Sequence, residues 1–334
     1  MRDARLLCRV LADPAAAAEV REWTSLISVA RAESLIGSLA WRLKGLELPA
    51  EVARTLDLAR EDFDQVRTQA LWEAEMARRA LAPTGVKVVL LKGTAYAAAG
   101  LSAGLGRSIG DLDILVPRSG LPAVEQALVG AGWEWVKSDP YDDHYYRTWM
   151  HELPPLIHKE RDRMIDVHHT ILPLTARPRP DAERLIGSSV ELNDGLHVLH
   201  PADMVVHAAA HLIADGDLAG GLRNLWDIDR LVRQFSEDGE FPGELRERAR
   251  QHGLGAAVAR ALRLARALYR TPVDPRMAGR ASASDRLFLG RLLARDGWGR
   301  ERGPALRLAF YARSHWLRMP PLMLARHLWT KARR

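Results

Sequence analysis

The sequence is poor in cysteine and lacks any long apolar run. Its 334 residues include one cysteine, Cys8, which excludes an internal disulfide framework and a thiolate-rich zinc site. The apolar stretch at residues 86–91 is far shorter than the ~20 residues that a membrane helix needs. The first 14 residues mix acidic with basic side chains and have no apolar core typical of a signal peptide. We therefore expect a cytoplasmic protein without a membrane span.

The overall composition is that of an ordinary globular protein, with 47% hydrophobic and 27% charged residues. The length allows two domains, or one domain with a helical extension. Apolar residues recur at helical spacing over residues 1–80, and Pro83 and Gly85 then interrupt the pattern. The pattern becomes helical again from Pro201 onward.

Strand-like runs and short helices alternate between these two helical regions. The pattern predicts helices after Gly93 and over 121–132, and predicts strands over 86–91, 111–117, 133–137, 144–152, 155–160 and 163–171. Further helical segments are predicted over 243–269 and 284–330. This order indicates an α+β fold with a small mixed β-sheet. We expect an N-terminal helical segment (residues 1–82), an α/β core (83–200) and a C-terminal helical region (201–334).

Positive charge is concentrated at the C-terminal end. Residues 241–334 contain 21 basic and 6 acidic residues, whereas residues 1–240 contain 27 basic and 36 acidic residues. All but one of the 21 basic residues are arginines, whose planar guanidinium suits phosphate. The region can therefore contact a polyanion or a partner protein, or it can be a solvated helical face.

The chemistry-bearing motif is an acidic pair in an apolar run, R-S-I-G-D-L-D-I-L-V-P at residues 107–117. Residues two apart in a strand point to the same face, so Asp111 and Asp113 should project together. A second apolar run, M-I-D-V-H-H at 164–169, supplies Asp166, with His168 on the same face. Carboxylates grouped in this way bind one divalent cation, or two cations ~3.5–4 Å apart. We expect these three acids to converge on Mg²⁺.

A phosphate-binding segment is predicted beside the acids. The sequence L-L-K-G-T at 90–94 ends a strand and begins a helix, with Thr94 as the expected N-cap. Backbone N–H groups at a helix start bind phosphate. Lys92 and Arg107 can add positive charge, with Arg107 placed in the glycine-rich loop before the acids.

Together these motifs resemble the polymerase β-type nucleotidyltransferases. Within that superfamily the sequence most resembles a group of bacterial proteins known as uncharacterised nucleotidyltransferases. The pattern L-L-K-G followed by R-x-x-x-D-h-D-h-h-V is matched by Leu90–Gly93 and by Arg107–Val116. The later I-D-V-H around Asp166 also fits, and the resemblance covers roughly residues 20–235. Thr94 departs from the Gly or Ser that usually follows this glycine in the superfamily.

The resemblance implies a mechanism and roles by position. Asp111 and Asp113 would bind two Mg²⁺ ions, or Mn²⁺, that hold a nucleoside triphosphate. Asp166 would bind the catalytic ion and help to deprotonate an acceptor hydroxyl, which attacks the α-phosphorus and releases pyrophosphate. Further substrate-binding residues are expected at the positions that flank the acids, namely Lys92, Gly93, Thr94, Arg107, Ser108 and His168. The acceptor can be a small molecule, a peptide or protein side chain, or RNA.

Other acidic and histidine pairs have simpler interpretations. His207 and His211 have the i, i+4 spacing of a zinc site, but the glutamate of H-E-x-x-H is missing, so we do not expect zinc. Asp227 and Asp229 are interpreted as the polar edge of a helix, although the family pattern includes this helix.

Two alternative functions use the same residues differently. A nucleotide-sugar glycosyltransferase also binds its metal–diphosphate with D-x-D, but the later acid Asp166 and the missing nucleotide-sugar βαβ half argue against it. A non-catalytic nucleotide-binding or nucleic-acid-binding regulatory module is the other alternative. Carboxylates in apolar strand-like runs cost folding free energy, and a module without catalysis has no physical reason to keep three of them.

Overall fold

Within the described residues, helices precede and follow a mixed β-sheet. The computed structural model describes residues 2–137, 139–192 and 195–319. The arrangement confirms the predicted α+β class. The last part of the arginine-rich region, residues 320–334, lies outside the described residues.

Four helices form the N-terminal segment: α1 (Arg2–Ala12), α2 (Trp23–Ala32), α3 (Ile36–Arg42) and α4 (Ala50–Leu81). Helix α4 is 32 residues long and buries Val52, Leu56 and Ala59 near its start, at the spacing of one helical face. It packs against α3 at one end and extends to the sheet region. Neither α4 nor any other helix within the described ranges is long and apolar enough to cross a membrane.

The sheet has seven short strands in the order β3-β4-β5-β2-β1-β7-β6. The strands are β1 (Val89–Leu90), β2 (Leu112–Leu115), β3 (Trp133–Trp135), β4 (Leu156–His158), β5 (Met164–His168), β6 (Val190–Glu191) and β7 (His197–Val198). Strand β2 pairs in parallel with β5 and antiparallel with β1, and its four residues are all buried. The two acidic motifs therefore lie on adjacent central strands.

The helices that connect the strands are α5 (Lys92–Ala98), α6 (Leu121–Gly130), α7 (Pro140–Trp149) and α8 (Ala182–Gly187). The prediction of a strand over 144–152 is wrong, because α7 covers most of that range. Asp139 accepts hydrogen bonds from the backbone N–H groups of Tyr141 and Asp142, and Pro140 occupies the first turn. An Asp-Pro pair of this kind starts a helix, and that signal outweighs the aromatic and β-prone residues that follow.

The C-terminal region is helical, as predicted, but its helices are shorter than the sequence pattern suggested. They are α9 (Pro201–Ala209), α10 (Gly221–Phe235), α11 (Phe241–Gln251), α12 (Gly255–Tyr269), α13 (Pro275–Ala278), α14 (Asp285–Leu292) and α15 (Pro304–Arg318). A π-helical segment, Ala210–Asp215, continues α9. The helical segment predicted over 243–269 is divided at Gly253, whose φ of +66° follows the end of α11. The segment predicted from 284 is interrupted between α14 and α15.

The N-terminal helices pack against the C-terminal helical region. Helix α1 contacts α12. Glu33, at the end of α2, accepts a hydrogen bond from Arg295 at 2.7 Å and another from the backbone N–H of Leu222 at 3.2 Å. Buried apolar residues form one continuous cluster from α1 to α15. The division of the chain at residues 82 and 200 stays a prediction.

Candidate active site

The carboxylates of Asp111, Asp113 and Asp166 converge at one edge of the central strands. Asp113 and Asp166 are direct neighbours in the parallel register of β2 and β5. Asp111 lies just before β2, on the same side as Asp113. One carboxylate oxygen from each residue can be chosen such that all three lie within 4.8 Å of one another. Asp113 is buried, Asp166 is half-buried and Asp111 is exposed, so the cluster has a buried side and a solvent side.

Asp113 is held by two positively polarised neighbours. Lys92 Nζ lies 2.5 Å from Asp113 Oδ1, and His168 Nε2 lies 2.9 Å from the same oxygen. Burial opposes ionisation of Asp113, but Lys92 and the hydrogen bond from His168 outweigh it and keep its pKa well below the usual range. Asp113 is therefore ionised at neutral pH. Lys92 adopts a left-handed φ of +50°, which is uncommon for a non-glycine residue.

Asp166 has the opposite electrostatic environment. Burial, the nearby carboxylate of Glu152 and the charge of Asp113 together raise the pKa of Asp166 to about 7. Its carboxyl group can therefore gain or lose a proton near neutral pH. The contrast with Asp113 arises because Lys92 and His168 face Asp113 directly.

The donor set fits a hard divalent cation. Mg²⁺ and Mn²⁺ prefer oxygen ligands, and the cluster consists of carboxylate oxygens from two adjacent strands. Burial first, and then the negative charges of Glu152 and Asp113, disfavour the ionised form of Asp166 in the metal-free cluster. A bound cation would relieve this repulsion.

The segment after β1 differs from the prediction in one respect. Helix α5 begins at Lys92 with Leu91 as its N-cap, so Thr94 is not the N-cap. Thr94 is instead the third helical residue and is almost completely buried. The sequence pattern predicted a connecting turn at Lys92 and Gly93. In the structure both residues already belong to the first helical turn of α5.

Gly93 is required by the packing of Arg107. A Cβ atom at residue 93 would lie 1.8 Å from Arg107 Nη1. The Arg107 side chain is only 7% exposed, and its Nε donates to Asp227 Oδ2 at 3.0 Å. Arg107 was expected in a loop near the acids, and the structure places its guanidinium in the interior between α5 and α10. Ser108 follows it, half-buried, and its carbonyl accepts a hydrogen bond from Arg107 at 3.3 Å.

Asp227 and Asp229 are not the polar edge of a helix, which corrects the sequence interpretation. Both are buried in α10. Asp229 accepts hydrogen bonds from Arg233 at 3.0 Å and from Thr271 at 2.7 Å, while Asp227 pairs with Arg107. Acidic residues two apart on a helix point in different directions, so each has its own partner. The sequence signal was the arginine that precedes the D-x-D motif, but its partner could not be read from the chain.

A second cluster lies beside His168, and the sequence pattern did not predict it. His151, Glu152 and His168 each offer one ligand atom, all within 4.8 Å of one another. His168 Nδ1 lies 3.3 Å from Glu152 Oε2, and Glu152 forms an isolated β-bridge with His168. His168 is therefore placed between two carboxylates, Asp113 and Glu152. Burial lowers its pKa, but these two acids outweigh burial and raise it. His151 and Glu152 were missed because residues 144–152 were interpreted as one strand.

His207 and His211 lie together near the site but without an acidic third ligand. The metal-type groups found among the described residues are the two clusters named above, and neither includes these histidines. Burial, and then the charge of Lys92, lower the pKa of His211 to about 3. His207 is likewise kept neutral by burial and Lys92, with a pKa well below its usual value.

Many arginines of the C-terminal region form ion pairs within the protein. Arg260 and Arg263 both donate to Asp285, at 3.1 and 2.7 Å. Arg295 pairs with Glu33, as described above. Much of the positive charge of this region therefore has an internal partner, and contact with a polyanion or a partner protein stays a prediction.

Comparison with known families adds to this geometry. The model of a family described as "Uncharacterised nucleotidyltransferase" matches residues 19–270. The match includes the whole carboxylate cluster and continues past residue 235, the predicted end of the resemblance, to the end of α12. Comparison with curated proteins gives no match. Because the family match covers well over half of the chain, the protein belongs to the uncharacterised nucleotidyltransferase family and is a nucleotidyltransferase enzyme whose acceptor the family does not specify.

Proposed function

We propose that the protein transfers a nucleoside monophosphate from a nucleoside triphosphate to an acceptor hydroxyl, with Mg²⁺ as the cofactor and pyrophosphate as the second product. One observation carries the proposal: Asp111, Asp113 and Asp166 converge within 4.8 Å in a chain of this family. The acceptor is a small molecule, a peptide or protein side chain, or RNA. The predicted cytoplasmic location fits this chemistry and stays a prediction.

The three carboxylates would hold two Mg²⁺ ions, or Mn²⁺ in their place. When bound, such ions neutralise the triphosphate and stabilise the charge that develops as the phosphoryl group is transferred. Lys92, fixed 2.5 Å from Asp113, adds a positive charge at the same edge. Gly93 and Thr94 follow Lys92 in the first turn of α5, and Arg107 and Ser108 precede the acids along the chain; we assign phosphate binding to the backbone around Gly93 and Ser108.

Asp166 is the residue suited to accept a proton. Its half-buried carboxylate lies beside Asp113 in the register of β2 and β5, and a bound cation would keep it ionised and able to accept a proton. The acceptor hydroxyl gives its proton to Asp166 as its oxygen bonds to the α-phosphorus. The bond between the α-phosphorus and the oxygen that bridges to the β-phosphorus breaks, and its electron pair leaves with pyrophosphate. Asp113 is unsuited to this role, because Lys92 and His168 keep its pKa low.

The test is transfer of label from α-labelled nucleoside triphosphates to a panel of acceptors in the presence of Mg²⁺. We expect label transfer with release of pyrophosphate, and its loss in Asp111→Ala and Asp166→Asn. Asp162→Asn is the matched control, because Asp162 is an exposed acid in the turn before β5 with a φ of +52°, which asparagine tolerates. Control activity should equal that of the wild type.

The alternatives give different results in the same assay. Transfer of a sugar from a labelled nucleotide sugar would favour a glycosyltransferase, which the family match disfavours. Nucleotide binding without transfer to any acceptor, unchanged by Asp111→Ala, would favour a regulatory module. For the arginine-rich region, RNA binding that is insensitive to salt would refute a polyanion contact, because such contacts release counterions.

A further inference from the structure

A second polar pocket lies on the other side of Lys92, between α5, α9 and α10. We call it the arginine pocket. Its lining includes Lys92, Arg107, His211, Arg223, Asn224 and Asp227. Lys92 thus contributes to both places, since its ammonium group contacts Asp113 in the carboxylate cluster and the residue also lines this pocket.

The pocket contains more positive than negative charge. Lys92 is paired with Asp113, and Arg107 is paired with Asp227 at 3.0 Å. Arg223 lies one helical turn before Asp227, and within the ranges that the structure describes its guanidinium forms neither a hydrogen bond nor an ion pair. Burial, and then repulsion from Arg107, lower its pKa. A half-buried guanidinium without a partner is costly unless an anion neutralises it.

The neighbouring groups compensate for this charge only in part: Asp227 raises the pKa of Arg223, but burial and Arg107 outweigh it and lower the pKa. Within the described part of the chain, Asp227 is the one carboxylate in the lining; its Oδ2 accepts from Arg107, and its Oδ1 is buried without a hydrogen-bond partner, so neither oxygen bonds to Arg223. His211 is neutral, and Asn224 carries an amide. These groups can donate hydrogen bonds to an anion, although they cannot neutralise a guanidinium.

We propose that the arginine pocket binds a phosphate group of a substrate, with Arg223 as its main contact. Guanidinium groups donate two parallel hydrogen bonds to phosphate, and Arg223 brings to the pocket a positive charge beyond the two that Asp113 and Asp227 already pair. The phosphate can come from the distal end of the nucleoside triphosphate or from a phosphorylated acceptor. The assignment of the phosphate to a nucleotide or to an acceptor rests on the proposed function. The inference that the pocket binds an anion does not rest on it.

The experiment measures binding by calorimetry in EDTA, where the carboxylate cluster holds no metal. Pyrophosphate and inorganic phosphate are titrated into the wild type, Arg223→Gln, Arg223→Lys and Arg266→Gln. Arg266 is an exposed arginine of α12, so its variant has the same change in charge away from the pocket. We expect Arg223→Gln to weaken pyrophosphate binding at least ~10-fold, the usual effect of losing a hydrogen bond to a charged group. Arg223→Lys should weaken it less, and Arg266→Gln should leave it unchanged.

Two further titrations identify the source of the phosphate. If the nucleoside triphosphates lose affinity in Arg223→Gln in parallel with pyrophosphate, the pocket binds the distal phosphates of the nucleotide. If only pyrophosphate and phosphate lose affinity, the pocket binds a phosphorylated acceptor. Equal binding of pyrophosphate by the wild type and Arg223→Gln, or no binding by either, overturns the proposal. Because no turnover is measured, this outcome is independent of the label-transfer assay.

Discussion

The raised pKa of Asp166 predicts that the metal-free protein becomes less stable as the pH rises. The folded protein holds the Asp166 proton with a pKa of about 7, whereas the ordinary value is 3.8. The folded state therefore binds this proton more tightly than the unfolded state, and raising the pH favours unfolding. The difference corresponds to roughly 4 kcal/mol over the full range, of which roughly 2.5 kcal/mol falls between pH 5 and pH 8.

The measurement compares the wild type with Asp166→Asn. Urea unfolding in EDTA at several pH values gives the free energy of unfolding of each protein. The difference between the two proteins removes the contribution of other titrating groups, including His168, His207 and His211. We expect the wild type to lose roughly 2.5 kcal/mol relative to Asp166→Asn between pH 5 and pH 8. The same pH dependence in both proteins would refute the electrostatic reasoning.

Mg²⁺ provides a second part of the same test. A cation at the cluster requires ionised Asp166, so Mg²⁺ should stabilise the wild type at pH 8 much more than at pH 5. Asp166→Asn should respond weakly to Mg²⁺ at both pH values. Equal stabilisation of the two proteins by Mg²⁺ at pH 8 would mean that the ion binds elsewhere.

Three further predictions concern the residues around the cluster. Arg107→Met leaves the buried carboxylate of Asp227 without its ion-pair partner and should lower the free energy of unfolding by about 3–5 kcal/mol, measured by urea unfolding. The double variant Arg107→Met/Asp227→Asn should lose less than the sum of the two single variants. Additive losses would contradict a direct pair. Lys92→Met removes the partner of Asp113, so the carboxyl pKa of Asp113, followed by NMR, should rise in the metal-free protein, and an unchanged pKa would show that His168 alone keeps it low. Asp111→Asn changes an exposed residue and should leave the thermal midpoint within a few degrees of the wild type. The apparent affinity for Mn²⁺, measured by its paramagnetic effect on water relaxation, should fall at least ~10-fold, because a charged ligand is lost. Unchanged affinity would show that Asp111 is not a metal ligand.

The relation between Asp113, His168 and Glu152 suggests how the cluster keeps its geometry. His168 Nε2 contacts Asp113 at 2.9 Å, and its Nδ1 faces Glu152 at 3.3 Å. The imidazole is 2% exposed, so its orientation is set by packing as well as by these two acids. A buried ring between two carboxylates holds Asp113 in one position and disperses part of the negative charge.

The local sequence was sufficient to predict the acidic motif and the elements that carry it. The apolar neighbours Leu112 and Ile114 identify a buried strand, and the two-residue period places Asp111 and Asp113 on one side of it. The same reasoning applies to Asp166 in β5. The α+β class followed from the order of helical and strand-like patterns, because each pattern is a local property of the chain.

Only the tertiary structure decided which distant residues meet. The parallel register that pairs Asp113 with Asp166, and the contact between Arg107 and Asp227 across 120 positions, depend on how strands and helices pack. Strand pairing and helix packing are non-local, so nothing in the spacing of single residues specifies them. The same packing separates the environments of Asp113 and Asp166, since Lys92 and His168 face one carboxylate and burial beside Glu152 affects the other. The sequence thus predicted the three acids of the candidate site, and the fold determined their environments and their partners.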